Sequence, residues 1–271
     1  MDLPQFSTLI GEQDGGVLRL RLNRPQIGNA MSSAMIGELT GALAAAEASG
    51  GIRAVVLSGE GGNFSAGADL KEMAAAMAAP PVRADADPVL GYSRAFGRMC
   101  AAFASTPLAT IALVDGAAMG GGFGLACAVD ICIATPNARF GLPETRRGLV
   151  PAQIAPYLLA RLGYSRATLL AVLGGNIRAD EALRLGLVHE VTEEGEEAVA
   201  SALQSVLACA PGALAETKTL LRAIRFATPP DFIDRAAAVF AEAVRGAEGR
   251  EGATAFLQKR PPAWAPRNDA S

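Results

Sequence analysis

Apolar and polar residues alternate over 17–22, VLRLRL, as in a strand with one face buried. Asn23-Arg24-Pro25 ends it in a turn. Ser32 or Ser33 then caps a predicted helix whose Ile36, Leu39, Leu43 and Ala46 share one face and which stops near Gly50-Gly51. AVVL at 54–57 reads as a short buried strand, 59–63 as a turn, and a helix starts near Asp69. The stretch 78–87, AAPPVRADAD, is a loop by composition. A helix over 89–105, a buried strand over 110–114, a glycine cluster and a buried strand over 129–134 follow. Strands alternating with helices predict an α/β fold with parallel pairing. Beyond Ile154 strand signals nearly vanish, and helices are predicted near 165–173, 179–185, 194–209, 213–227, 231–246 and 248–259. The tail from Pro261 reads as loosely ordered.

Composition narrows the class. The 271 residues are 51% hydrophobic, much of it alanine, and 19% charged, against about a quarter in an average globular domain. Extra buried surface, such as a subunit interface, fits that balance. The net charge of -3 excludes the clustered basic footprint of a nucleic-acid binder. Cys100, Cys127, Cys132 and Cys209 form no CxxC pair and read as buried reduced thiols of a cytoplasmic protein. The start, MDLPQFSTLI, has neither the basic residues nor the apolar stretch of a signal peptide. The long apolar region 111–135 is broken by Asp115, Asp130 and glycines, so a buried segment is expected, not a bilayer span. No His/Cys/carboxylate cluster suggests a metal. His189, the only histidine, lies away from every motif and reads as structural, which argues against a Ser-His-Asp hydrolase. Asp130, between apolar residues, reads as a structural hydrogen-bonding or ion-pair residue.

The stretch 118–126, AMGGGFGLA, is the main chemical signal. A phosphate-binding GxxxxGK[ST] is absent, and GxGxxG fails because the third glycine position after Gly120 and Gly122 is Leu125. Two uses fit. The glycines either allow close packing of helix on strand, or leave backbone N–H groups free at a helix N-terminus, where a developing oxyanion is stabilised. FSAGADLKEM at 64–73 repeats the arrangement after the preceding strand. Two such turns can aim two donors at one oxygen.

At this point the chain resembles the enoyl-CoA hydratase/isomerase (crotonase) family. The resemblance rests on LNRPQIGNAM at 22–31, FSAGADLKEM at 64–73, DGAAMGGGFGLACAVDICIAT at 115–135, FGLPETRRGLVP at 140–151, ADEALRLGLVHEV at 179–191 and EGATAFLQKRPPAW at 251–264. It implies a spiral of ββα turns over 1–200 and a C-terminal helical region over 201–271 that builds homotrimers, often paired as dimers of trimers. It implies acyl-CoA thioesters as substrates, with no cofactor beyond that coenzyme A. It places the two oxyanion donors at Ala68 and Gly121, with Ala66, Gly67, Asp69, Leu70, Lys71 and Gly120 around them. Glu144, in the Pro143-Glu144 dipeptide, matches a catalytic glutamate; read alone it is a solvated loop residue. A second family glutamate falls at Gly124. Glu144 then either activates water and returns its proton, or serves an isomerase as sole acid/base, or is joined by another acid among Asp69, Glu72, Asp85 and Asp87. Gly124 is also expected to enlarge the pocket for a bulky acyl group.

Arg24 is either a surface charge or a residue near the CoA nucleotide. Lys71 is either a helix-surface lysine or a partner of CoA phosphate. Phe256 and Lys259 are placed on the last helix, either as part of an amphipathic face or as cover for CoA on a neighbouring subunit. The segment GLPETRRGLVPAQIAPYLLARLG, with GGGFGLAC, is most similar to hydratases of branched glutaconyl-CoA thioesters of the isohexenylglutaconyl type. The expected activity is hydration of a 2-enoyl-CoA. The alternatives are a double-bond isomerase, a catalytically weak acyl-CoA-binding paralogue and a thioester hydrolase.

Overall fold

The computed structural model describes residues 4–78, 87–224 and 232–265. Most of the loop expected over 78–87, the end of the helix expected over 213–227 and the last six residues of the tail fall outside the described residues.

Each turn of the chain lays one strand in a main sheet, one short extended piece in a second layer, and then a helix. β1 (Leu9–Asp14) folds back antiparallel on β2 (Val17–Leu22). The alternation in β2 works as read: Leu18, Leu20 and Leu22 are fully buried, while Arg19 reaches Glu196 and Arg21 reaches Glu12 and Glu60. Met31 then bridges Ala68, and α1 (Ser33–Ser49) follows, with Ser32 accepting the Met35 N–H and Gly50 closing it in a left-handed conformation. The next turn is β3 (Ala54–Gly59), the Ser65 bridge to Ala118, α2 (Leu70–Ala78) and α3 (Pro88–Ser105). The third is β4 (Ala109–Val114), β5 (Ala117–Met119) and α4 (Gly121–Ala128). The fourth is β6 (Ile131–Ala134), β7 (Arg139–Gly141), a 3-10 turn at Thr145–Arg147 and α5 (Ala155–Leu173). β8 (Asn176–Arg178), α6 (Ala179–Leu185), β9 (Glu190–Val191) and α7 (Gly195–Ala208) complete the core. This is the expected α/β spiral of ββα turns.

The main sheet runs β1-β2-β3-β4-β6-β9, parallel throughout except at β1; β5-β7-β8 form the second sheet. Because side chains alternate along a strand, the main sheet buries both faces. Leu18, Leu20, Val55, Leu57 and Ala112 face α1, α3, α4 and α5. Val17, Val56, Ile111, Leu113 and Ile133 face Val199, Leu203 and Val206 of α7.

The boundary expected at 200/201 needs correcting. It falls inside α7, which packs on the sheet as one continuous apolar face. The departure from the core comes afterwards, with α8 (Pro211–Ala223), α9 (Phe232–Arg245) and α10 (Ala247–Leu257). α8 buries no residue fully and is tethered by polar contacts: Lys218 Nζ meets Asp130 Oδ2 at 2.6 Å and the Leu108 carbonyl at 2.5 Å. Asp130 also accepts the Thr110 N–H and hydroxyl, the structural role expected for it. The helix expected over 165–173 is the second half of α5, which starts earlier and breaks at Gly163 (φ 71°, ψ 165°). Cys100, Cys127 and Cys132 are buried free thiols, but Cys209 is exposed, against expectation.

Candidate active site

Three backbone turns converge, and the first is the LNRPQIGNA segment. Asn29 is fully buried with φ 56°, a left-handed conformation that asparagine tolerates better than most residues. Its side chain accepts the Arg24 N–H (2.8 Å) and donates to the carbonyls of Glu60 (2.8 Å) and Asn63 (2.7 Å). Its carbonyl accepts the Ser65 hydroxyl (2.9 Å), and Ser65 Oγ in turn accepts the Gly67 N–H (3.2 Å). The sequence assigns Asn29 no role: it offers only an asparagine in a turn-forming motif, and its burial comes from the fold.

The second turn is Ala66-Gly67-Ala68. Gly67 has φ 94°, and a Cβ there would lie 2.8 Å from the Met119 carbonyl and 3.6 Å from the Gly121 nitrogen. Only glycine lets the two expected donor turns approach this closely. Ala66 donates to Gly28 O, and Asp69 donates to Met31 O. Between them, the Ala68 N–H has no acceptor among the described residues. Asp69, 8% exposed, caps α2 by accepting the Lys71 and Glu72 N–H groups and pairs with Arg24 Nη1 at 2.9 Å. Burial would raise its pKa, but the hydrogen bonds from Glu72, Arg24 and Lys71 outweigh it and hold the carboxyl below its ordinary 3.8. Leu70 is exposed at the helix start, and Lys71 is also exposed.

The third turn is the glycine run. Gly120 (φ 50°, ψ -113°) caps α4 and donates to Gly141 O. Gly121 opens the helix, and its N–H has no acceptor among the described residues, as expected for a first-turn donor. A Cβ on Gly121 would lie 3.1 Å from the Phe96 ring and 3.8 Å from Met31 Sδ, the residue paired with Ala68. The two free donors, Ala68 and Gly121, are thus on adjoining backbone. Each is half-buried between buried neighbours.

Glu144 follows β7 and stands over the glycine run: a Cβ on Gly120 would lie 2.9 Å from Glu144 Oε1. Its Oε2 is buried with no hydrogen-bond partner. Burial raises its pKa above the ordinary 4.5, opposed by its own backbone N–H and by the positive charge of Arg147. A half-buried carboxylate with a raised pKa beside two unpaired N–H donors is an acid/base group next to an oxyanion site.

The other acids named from sequence are engaged elsewhere. Glu72 accepts the Ser33 N–H at the start of α1, and Asp87 caps α3 by accepting the Val89 N–H. Asp85 lies outside the described residues. Gly124 needs a correction. It does not enlarge the pocket: a Cβ there would lie 2.0 Å from Ile154 Cγ2, so Ile154 fills the space. Phe256 is exposed on α10; Lys259 lies beyond the end of that helix at φ 53°, not on it. Among the described residues, no contact brings either to Glu144, Ala68 or Gly121. His189 Nδ1 accepts the Cys132 N–H, a structural bond. A 760 Å³ hollow between α8, α9 and α10, lined by Phe240, Val244 and Trp264, contains none of the site residues.

Known proteins are similar to this chain in sequence and fold. The model of the enoyl-CoA hydratase/isomerase family matches residues 12–267. A short-chain-enoyl-CoA hydratase of Clostridium acetobutylicum is 34% identical over 264 residues, 94% of this chain and 97% of its own. The crystal structure of an enoyl-CoA hydratase/isomerase from Marinobacter aquaeolei is 46% identical, with a TM-score of 0.91 over 96% of this chain and 99% of that one. Pseudomonas aeruginosa AtuE is 47% identical, with a TM-score of 0.91 over 96% of this chain and 100% of its own. With strand order, glycine turns and the Pro143-Glu144 dipeptide in place, this chain belongs to the enoyl-CoA hydratase/isomerase family.

Proposed function

We propose that this chain is an enoyl-CoA hydratase that adds water across the 2,3 double bond of an acyl-CoA thioester, using Glu144 as its one carboxylate acid/base. The observation that carries this reading is the Glu144 carboxyl standing over Gly120, one residue from the unpaired Gly121 N–H and beside the Ala68 turn. The thioester oxygen accepts hydrogen bonds from Ala68 and Gly121. Water adds its oxygen to the β-carbon as its proton passes to Glu144, and the displaced π electrons reach the thioester oxygen as an enolate. The enolate collapses as the α-carbon takes a proton from Glu144. Losing one oxyanion donor typically costs about 10²–10³ in rate.

The acyl chain is proposed to be of the branched glutaconyl type, from the likeness of the segment around Glu144 to such hydratases; room over Gly124 does not support it. Arg24, Lys71, Phe256 and Lys259 are proposed CoA contacts, the last two toward a neighbouring subunit. Assembly as a homotrimer or dimer of trimers fits the exposed Leu221, Ile233, Phe240, Val244, Phe256 and Leu257 of the C-terminal helices, and sedimentation tests it. The protein is proposed to act in the cytoplasm, without a cofactor other than the substrate's coenzyme A.

One observation favours a second reading: with Ile154 over Gly124, Glu144 is the one carboxylate at the glycine run among the described residues, which suffices for an isomerase that moves a proton between the α- and γ-carbons. Loss of conjugated enoyl-thioester absorbance, followed with crotonyl-CoA and a branched glutaconyl-CoA, separates the two. The expected result is hydration that disappears in Glu144→Gln. Absence of hydration with both substrates, alongside interconversion of 3-enoyl and 2-enoyl esters, overturns the hydratase in favour of the isomerase.

A further inference from the structure

The Glu144 carboxyl is fixed by few polar contacts. Its own backbone N–H acts on it, but its Oε2 is buried without a hydrogen-bond partner. Packing is left to hold that side of the group. Gly120 and Gly124 sit one turn apart on α4, the Gly124 N–H donating to the Gly120 carbonyl at 2.9 Å. Glu144 Oε1 covers the first and the Ile154 side chain covers the second. Carboxylate and isoleucine thus lie against consecutive turns of one helix. Ile154 is 3% exposed, and its own position is clamped. Gln153 donates to Ser93 Oγ at 3.1 Å, and its Oε1 presses on Gly97 of α3, where a Cβ would lie 2.2 Å away. At the other end of the segment, the Leu149 N–H donates to the Glu144 carbonyl at 2.9 Å. The segment from 149 to 154 therefore ties the Glu144 turn to α3 and inserts Ile154 where Gly124 leaves room.

We propose that Ile154 is a positioning residue for Glu144: seated in the notch of Gly124, it fills the side of the carboxyl along α4, shields that side from bulk solvent and holds the carboxyl over Gly120. This rests on the reading of Glu144 as the acid/base group. Among the described residues, few charges compete for control of that carboxyl. Arg147, on its own turn, acts on it, while Arg146 is turned to the Leu173 carbonyl. α4 carries no charged residue, and α3 turns Phe96 toward Gly121 with Arg94 and Arg98 exposed. Arg161 of α5 binds the carbonyls of Cys127 and Val129 at the far end of α4.

Glu144 is titrated by carbon-13 NMR in glutamate-labelled protein, its signal assigned by loss in Glu144→Gln, and kcat and KM are measured across pH. Ile154→Ala is expected to lower the carboxyl pKa toward that of an ordinary glutamate, to move the acid limb of the rate profile down with it, and to cut kcat by about 10–100-fold with little change in KM. Ile154→Val, which removes one methyl from the same notch, is expected to shift the carboxyl pKa and the acid limb in the same direction by a smaller step. Gly124→Ala is expected to lower Tm, and Gly124→Ala/Ile154→Ala to recover part of that loss. An Ile154→Ala protein that folds, yet keeps the parent carboxyl pKa and kcat, overturns the proposal. Should Ile154→Ala not fold, an Ile154→Val protein with a lowered carboxyl pKa supports it, and Gly124→Ala with parent Tm and kcat overturns it. Because the titration needs no turnover, a parent that hydrates nothing but whose carboxyl pKa falls in Ile154→Ala loses the hydratase reading and keeps the positioning role.

Discussion

Arg24 Nη1 lies 2.9 Å from Asp69 Oδ2, joining the LNRP turn to the residue that follows the Ala68 donor. The same nitrogen donates to the Ala30 carbonyl at 2.7 Å. One ion pair therefore orients both chain segments beside the oxyanion site.

Asp69→Ala removes this pair and the α2 cap together. The expected cost is about 2–4 kcal/mol, read from urea unfolding, with a fall in kcat as the Ala68 N–H loses its support. Asp69→Asn keeps a capping oxygen and loses less. Since the folded-state pKa of Asp69 is lowered, its stabilisation is complete above about 3.8 and is lost as pH falls through the folded value. The gap between parent and Asp69→Asn closes in acid.

Glu144 carries the opposite sign. Its pKa is raised in the folded state, so the protonated form favours folding and the advantage is lost as pH rises from about 4.5 through the folded value. Melting curves of Glu144→Gln against the parent are expected to converge at low pH and diverge in favour of the variant as pH rises. The acid limb of the rate profile lies above 4.5, and Arg147→Gln, which removes a neighbouring positive charge, moves it further up. A downward move contradicts the role given to Arg147.

Gly120→Ala combines a positive φ with a Cβ 2.9 Å from Glu144 Oε1. The expected outcome is about 1–3 kcal/mol of destabilisation and a kcat reduced by 10-fold or more, because the carboxyl must move. Gly37→Ala on the exposed face of α1 is the contrast. A Cβ there meets nothing within 4 Å, and the change is expected to raise stability by about 0.5–1 kcal/mol with parent activity.

Asn29→Asp replaces the Nδ2 donor by an oxygen facing the Glu60 and Asn63 carbonyls. A loss of about 2–4 kcal/mol is expected in urea unfolding. Retention of parent stability would mean that this fully buried side chain does not carry the turn.

The long periodic elements were legible in the sequence because burial imposes a repeat on them. β2 alternates, α1 shows its apolar face and both caps, and α6 runs over the residues expected. The short strands were not. β5, β7 and β8 span three residues each, fewer than two periods of alternation, and exist because neighbouring turns of the spiral offer them partners. α7 shows the same limit from another side: its pattern predicted a helix, but only the sheet face it covers assigns it to the core.

The sequence by itself determined that two glycine turns follow two buried strands, and that one glutamate follows the FGLP motif. Backbone chemistry is local, so free N–H groups at a helix start can be read from glycine spacing. Only the tertiary structure decided that Asn29 supports the Gly67 turn through Ser65, and that Gly124 is a filled notch instead of an opening. A glycine declares a missing side chain, but what occupies that space comes from elsewhere in the chain. Here it is Ile154, thirty residues on, brought there when α5 packs against α4.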